Sequence, residues 1–129
     1  MENRKLIALT CISGALAVAL GAFGAHGLKP YLDETGMSNF QTANRYHFIH
    51  TLFALIVLTN VNFSHLARRI AIEVMAGILL FSGSLYFLAL QSHFQWIPSW
   101  LGAITPIGGL LFIVAWIEGG IGILKKLKN

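Results

Sequence analysis

Four apolar stretches take up most of this 129-residue chain, and each is long enough, or nearly so, to cross a lipid bilayer. The first runs from Leu6 to Ala25 without a charged side chain. At about 1.5 Å per residue it extends about 30 Å, the thickness of the hydrocarbon layer. The second, Tyr46 to Phe63, carries His50 and Asn60; the third, Ile70 to Leu90, has Glu73 near its start; the fourth runs from about Pro98 to Leu124. A soluble domain of this size cannot bury the apolar surface that 56% hydrophobic and 11% charged residues supply, so lipid must cover the remainder. A membrane β-barrel needs alternating segments, and these runs are apolar on all sides. The expected fold is an all-α integral membrane protein. Its single domain has four transmembrane helices, at about 6–27, 39–63, 70–91 and 98–124, in an antiparallel bundle.

The net charge of +4 is distributed by position. Arg4 and Lys5 precede the first helix, Arg68 and Arg69 lie between the second and third, and Lys125, Lys126 and Lys128 follow the fourth. Only Lys29 and Arg45 fall on the opposite side. This bias orients a membrane protein during insertion and predicts that both termini are cytoplasmic. Nucleic acid is excluded as a partner, because no basic stripe is interleaved with exposed aromatics. The start of the chain also has the outline of a signal peptide, but its apolar run is longer than a usual signal core. Ser13, Ala17, Gly21 and Ala25 repeat every fourth residue, as a retained helix that packs closely on another would need. Cys11, the only cysteine, can form no internal disulfide.

Local signals set the expected ends. Pro30 and Gly36 break helix between the first two spans, and Ser38 with Gln41 has the spacing of a capping box. A helix beginning after Ser38 would run about 37 Å to Phe63 and protrude at its first turns. Pro98 suits a first helical turn, and Trp96 and Trp100 suit the interface. Pro106 leaves the Gly102 carbonyl without its helical donor, so a kink is expected within the fourth helix. Gly21, Gly24, Gly83, Gly102, Pro106 and Gly109 are the candidate packing or kink positions.

The polar side chains gather towards the outer half. His26 ends the first helix there, Tyr46, His47 and His50 begin the second, Gln91 and His93 end the third, and Ser84, Tyr86 and Thr105 lie slightly deeper. The candidate cluster is His26, Gln41, Tyr46, His50, Ser84, Tyr86 and Thr105. Such groups either converge on a ligand, metal, haem, quinone head or proton path, or hydrogen-bond one another and hold the helices in register; the second reading is preferred. Metal ligation is disfavoured, because no HxxxH or HExxH pair occurs and no cysteine lies near. Glu73 is expected to meet Arg69 one turn earlier, and Glu118 to reach Lys125 or the headgroups. No nucleophile, base and orienting group can be assembled and the GxSxG elbow is absent, so no enzyme activity and no cofactor are expected.

Four strings in order, GAFGAHGLK at Gly21 to Lys29, QTANRYHFIH at Gln41 to His50, LFSGSLYFLAL at Leu80 to Leu90 and LGAITPIGGLLFIVAW at Leu101 to Trp116, closely resemble the domain of unknown function 423 family. These are small bacterial inner-membrane proteins with four predicted helices, similar to the eukaryotic transmembrane protein 256 family. The resemblance implies fold and bacterial inner-membrane location but no activity. Its pattern falls on Gly21, Phe23, Gly24, Ala25, His26 and Gly27, then Gln41, Tyr46 and His50. It continues on Ser82, Gly83, Ser84 and Tyr86, then Thr105, Pro106, Gly108 and Gly109. His47 and His93 lie outside it, which argues against a four-histidine metal site.

The expected function is that of a non-catalytic accessory, assembly or structural component of the inner membrane. Its partners would be the lipid bilayer and a homo-oligomer or larger membrane complex. One alternative is a small-solute carrier or channel formed as an oligomer. Another is a haem, quinone or metal binder using His26 and His50.

Overall fold

The computed structural model describes residues 2–60 and 65–127, and among them the only regular structure is helical. Helix α1, Glu2–Ala25, contains no proline and ends where the Leu28 N–H closes back on the Phe23 carbonyl at 2.9 Å. A short 3-10 turn at Lys29–Tyr31 leads into helix α2, Glu34–Asn60. The expected extension of this helix to residue 63 lies outside the described residues, as does Lys128.

The start of α2 differs from the expected one. Asp33, not Ser38, is the cap: its Oδ1 accepts from the Gly36 N–H at 2.6 Å, and its carbonyl accepts the first helical bond from Met37 at 2.8 Å. Ser38 is therefore already inside the helix. Gly36 is no breaker either. It is buried where α2 meets the end of the next helix, and a Cβ there would strike the Ala89 carbonyl oxygen.

Helix α3 runs over His65–Ala89, starting earlier than the expected residue 70. It is regular over His65–Gly77 and Gly83–Ala89, and between them Ile78–Ser82 form a π-helical turn. That widened turn gives Ser82 a partner outside its own helix, the Ala43 carbonyl of α2 at 2.8 Å. A loop then leads past Trp96 and Pro98 to a 3-10 turn, Ser99–Ala103, and helix α4, Thr105–Leu127. The fourth expected helix is thus divided, and Pro106 is not at a mid-helix kink. It stands in the first turn of α4, where its missing N–H is one that no helical carbonyl would have accepted.

Sequential neighbours pack antiparallel, with α2 and α3 at the centre. At the end of the bundle near Arg69 the core is apolar, built from Ala54, Val57 and Leu58 of α2, Ile70 and Val74 of α3, and Phe112 and Ala115 of α4. Lipid is as apolar as leucine, so helices inside it are held by close packing rather than by escape from water. The fully buried alanines at 43, 54, 67, 71, 89 and 115 fit that requirement. Helices also approach closely at Gly24, where a Cβ would overlap the Phe40 ring, and at Gly108, where it would overlap the Phe81 backbone.

Among the described residues, three helical segments are long and apolar enough to cross a membrane: Arg4–Ala25, His65–Ala89 and Ser99–Lys125. Helix α2, at 27 residues, is about 40 Å long but carries polar residues through its first half. Its His47, His50 and Thr51 are buried against the other helices, whereas Phe48, Ile49, Leu52 and Ile56 face outward.

Candidate functional site

Most of the buried polar side chains fall into two groups on either side of α2. The first joins α1, α2 and α3. Asn44 Nδ2 donates to the Ala17 carbonyl at 2.7 Å and to the Tyr86 hydroxyl at 3.1 Å. Tyr86 lies 3.2 Å from His47 Nδ1, His47 Nε2 lies 3.0 Å from Ser13 Oγ, and Ser13 lies 3.2 Å from Thr51 Oγ1. Because the Ala17 carbonyl only accepts, the Asn44 amide is oriented, and its second hydrogen makes Tyr86 an acceptor. One consistent sense of donation runs Asn44 to Tyr86 to His47 to Ser13 to Thr51; with the other imidazole tautomer, donation from Thr51 to Ser13 to His47 to Tyr86 is equally allowed.

Ser13 and His47 are within the reach of a nucleophile and its base, and Tyr86 occupies the orienting position. The tautomer with hydrogen on Nε2 donates to Ser13, and the other accepts from it. The group ties α1, α2 and α3 together.

The second group joins α2 and α4. His50 Nδ1 is 2.8 Å from the Tyr46 carbonyl, which can only accept, and the Trp116 indole N–H donates to Nε2 at 3.2 Å. The two bonds together select the neutral imidazole with hydrogen on Nδ1. His50 also stacks on Phe112 with centroids 3.6 Å apart, and Tyr46 packs on Phe81 at 4.6 Å. With both ring nitrogens engaged, His50 offers no free lone pair to a metal or haem iron.

The sequence candidates are therefore dispersed. Ser84 and Thr105 pair with each other at 2.6 Å across α3 and α4. Tyr86 belongs to the first group, and Tyr46 and His50 to the second. Gln41 and His26 are exposed. Ser13 of α1 meets Thr51 of α2, so His26 lies about 20 Å along the bundle from His50, and the two do not converge. Among the described residues, no group of three or more His, Cys, Asp or Glu is placed to hold a metal. Of the packing positions, Gly21 and Gly24 lie against Asn44 and Phe40. Gly83 and Gly102 have no close neighbour, and Gly109 makes ordinary contact with Phe81 at 3.6 Å.

Sequence reasoning missed Ser13, Asn44, Thr51 and Trp116 and set His47 aside. A signal was present, since Asn44, His47 and Thr51 recur at helical spacing along one side of α2. Of the acids, Glu73 pairs with Arg69 one turn earlier, at 3.8 Å, as expected, and Glu118 has an unexpected partner: the same Arg69 binds it through two bonds, at 3.0 and 2.6 Å. Glu118 does not need Lys125.

Residues 20–109 match the family described as Protein of unknown function (DUF423). The chain belongs to this family. It is 41% identical over 127 residues to a UPF0382 membrane protein of Haemophilus influenzae, covering 98% of each chain. Against the UPF0382 membrane protein YwdK of Bacillus subtilis the identity is 39%, covering 96% of this chain and 99% of that one. Against the UPF0382 inner membrane protein YgdD of Escherichia coli it is 35%, covering 100% and 96%. No solved structure matches the chain. DUF423 membership and the long apolar helices together make this a multi-pass helical membrane protein.

Proposed function

We propose that the chain is a non-catalytic accessory or assembly component of the bacterial inner membrane. It crosses the bilayer four times with both termini in the cytoplasm and works beside other subunits or further copies of itself. The observation that carries this reading is the closed polar interior. Asn44, Tyr86, His47, Ser13 and Thr51 bond to one another, and both nitrogens of His50 are taken. The buried polar chemistry is thus engaged in joining helices.

A face for a companion is also present. One side of α1 packs on α2 through Ser13, Ala17 and Gly24, and the opposite side exposes Ala8, Cys11, Ala15, Ala19 and Ala22. Small residues in that arrangement let a second helix approach closely. The placement of Arg4, Lys5, Arg68, Arg69 and Lys125 supports the orientation.

The test is gentle solubilisation of tagged protein from native membranes, followed by quantitative identification of what accompanies it. A stoichiometric companion or a defined oligomer is expected, lost when Ala15 and Ala19 are both replaced by leucine. A monomer without companions, or substrate flux through reconstituted protein, overturns the proposal.

A further inference from the structure

The sides of the bundle are apolar, and Arg45 breaks that pattern. It stands about three turns into α2, exposed, one turn from the outward-facing Ile49 and two from Leu52. Among the described residues it forms no ion pair: the acids that do so, Glu73 and Glu118, lie at the other end of the bundle with Arg69. An unpaired guanidinium at the outer border of an apolar stretch favours an anion of the headgroup zone. Cα–Cβ bonds tilt towards a helix N-terminus, so Arg45 leans towards the end that carries Trp96 and Trp100.

Tyr46, the neighbour of Arg45 in the chain, lines a groove of about 670 Å³ between α2 and α4. Tyr46 and Ile49 line one wall, Pro106, Gly109, Ile113 and Trp116 the other, and the stacked His50 and Phe112 rings form the floor. From Pro106 to Ile117 it follows α4 for about 16 Å, close to half of the ~30 Å hydrocarbon core and so to one leaflet.

We propose that this groove holds one acyl chain of a phospholipid whose phosphate is bound by Arg45. The charges are complementary, and the groove is apolar and has the length of one leaflet. Tyr46 makes ring contacts but its hydroxyl has no hydrogen-bond partner among the described residues, so it supplies a second donor to the phosphate. Gly109 keeps the wall open: a Cβ there would meet only the Phe81 ring, at 3.6 Å. This site rests on the membrane placement and is independent of any companion subunit.

Trp116 is the reporter. In a Trp96→Phe, Trp100→Phe background, purified protein in mild detergent is titrated with phosphatidylglycerol bearing brominated chains, and separately with diacylglycerol bearing the same chains. Bromine in the groove quenches Trp116. The phospholipid should reach half-quenching at a concentration about fivefold lower, the ratio that ~1 kcal/mol for one arginine at an anionic headgroup corresponds to. Arg45→Gln should remove that preference and Arg45→Lys should keep most of it. Gly109→Leu, which leaves Arg45 in place, should weaken quenching by both lipids. Equal midpoints for the two lipids in the parent protein, or a preference that survives Arg45→Gln, overturns the proposal and leaves Arg45 to a carboxylate on another protein. Quenching unaltered by Gly109→Leu overturns the placement of the chain.

Discussion

Replacing Tyr86 with phenylalanine removes one oxygen from the centre of the α1–α2–α3 network and leaves the ring, with its edge contact to Phe40, in place. Two interhelical hydrogen bonds go with that oxygen, from Asn44 at 3.1 Å and with His47 at 3.2 Å. Interhelical bonds in a membrane average about 0.6 kcal/mol and reach about 1.7. The expected loss is therefore about 1.2 kcal/mol, with about 3.4 as its ceiling. Asn44 keeps the Ala17 carbonyl, so the damage falls mainly on His47, left with an unpaired nitrogen in an apolar setting. Unfolding of purified protein in mixed micelles by added dodecyl sulfate, followed by tryptophan fluorescence, measures the difference. Tyr46→Phe is the internal control, since that hydroxyl has no partner among the described residues and its removal should cost nothing measurable. In a double-mutant cycle with His47→Phe, the Tyr86–His47 coupling should be about 0.6 kcal/mol. A Tyr86→Phe loss below about 0.3 kcal/mol, or one matched by Tyr46→Phe, would refute the account of the network.

Gly24→Ala forces a Cβ into the Phe40 ring and should destabilise the bundle by about 1–3 kcal/mol, whereas Gly102→Ala, with its nearest neighbour at 4.0 Å, should be nearly neutral; the same unfolding titration compares them. His50→Ala loses the Trp116 bond and the Phe112 stack and should cost about 1–2 kcal/mol, while exposed His26→Ala should stay within about 0.5 kcal/mol of the parent; equal melting of the two variants would contradict the burial pattern. In a Cys11→Ser background, Ser92→Cys should react with an impermeant maleimide added to intact spheroplasts and Lys125→Cys should react only after lysis. The reverse pattern would invert the orientation.

Helices and membrane character were legible because apolar run length is a property of the chain itself. Boundaries were less so. Gly36 reads as a breaker until the Ala89 carbonyl beside it shows why a side chain is excluded, and only then does Asp33 emerge as the cap. Pro106 reads as a kink because the preceding apolar residues look helical, and the 3-10 turn at Ser99–Ala103 is not marked in the sequence. The polar cluster was located by depth along the helices but not by azimuth. His47 and His50 are three residues apart, and that rotation is enough for one to face Ser13 of α1 and the other Trp116 of α4. Which neighbour stands at each azimuth is decided by the packing order of the bundle, and no local pattern reports it.

The π-helical turn at Ile78–Ser82 makes winding, rather than residue type, the constraint on α3. Each residue of an α-helix advances the winding by about 100°. The widened turn takes up one residue more than regular winding would between the same end points, so winding the same residues regularly would swing Gly83–Ala89 through about that angle. Ser84 would turn from Thr105 and Tyr86 from Asn44 at a single stroke, although no member of either pair had been altered. Deleting one residue there should instead let a regular helix keep both pairs, and apolar exchanges at exposed Leu79 should pass unnoticed.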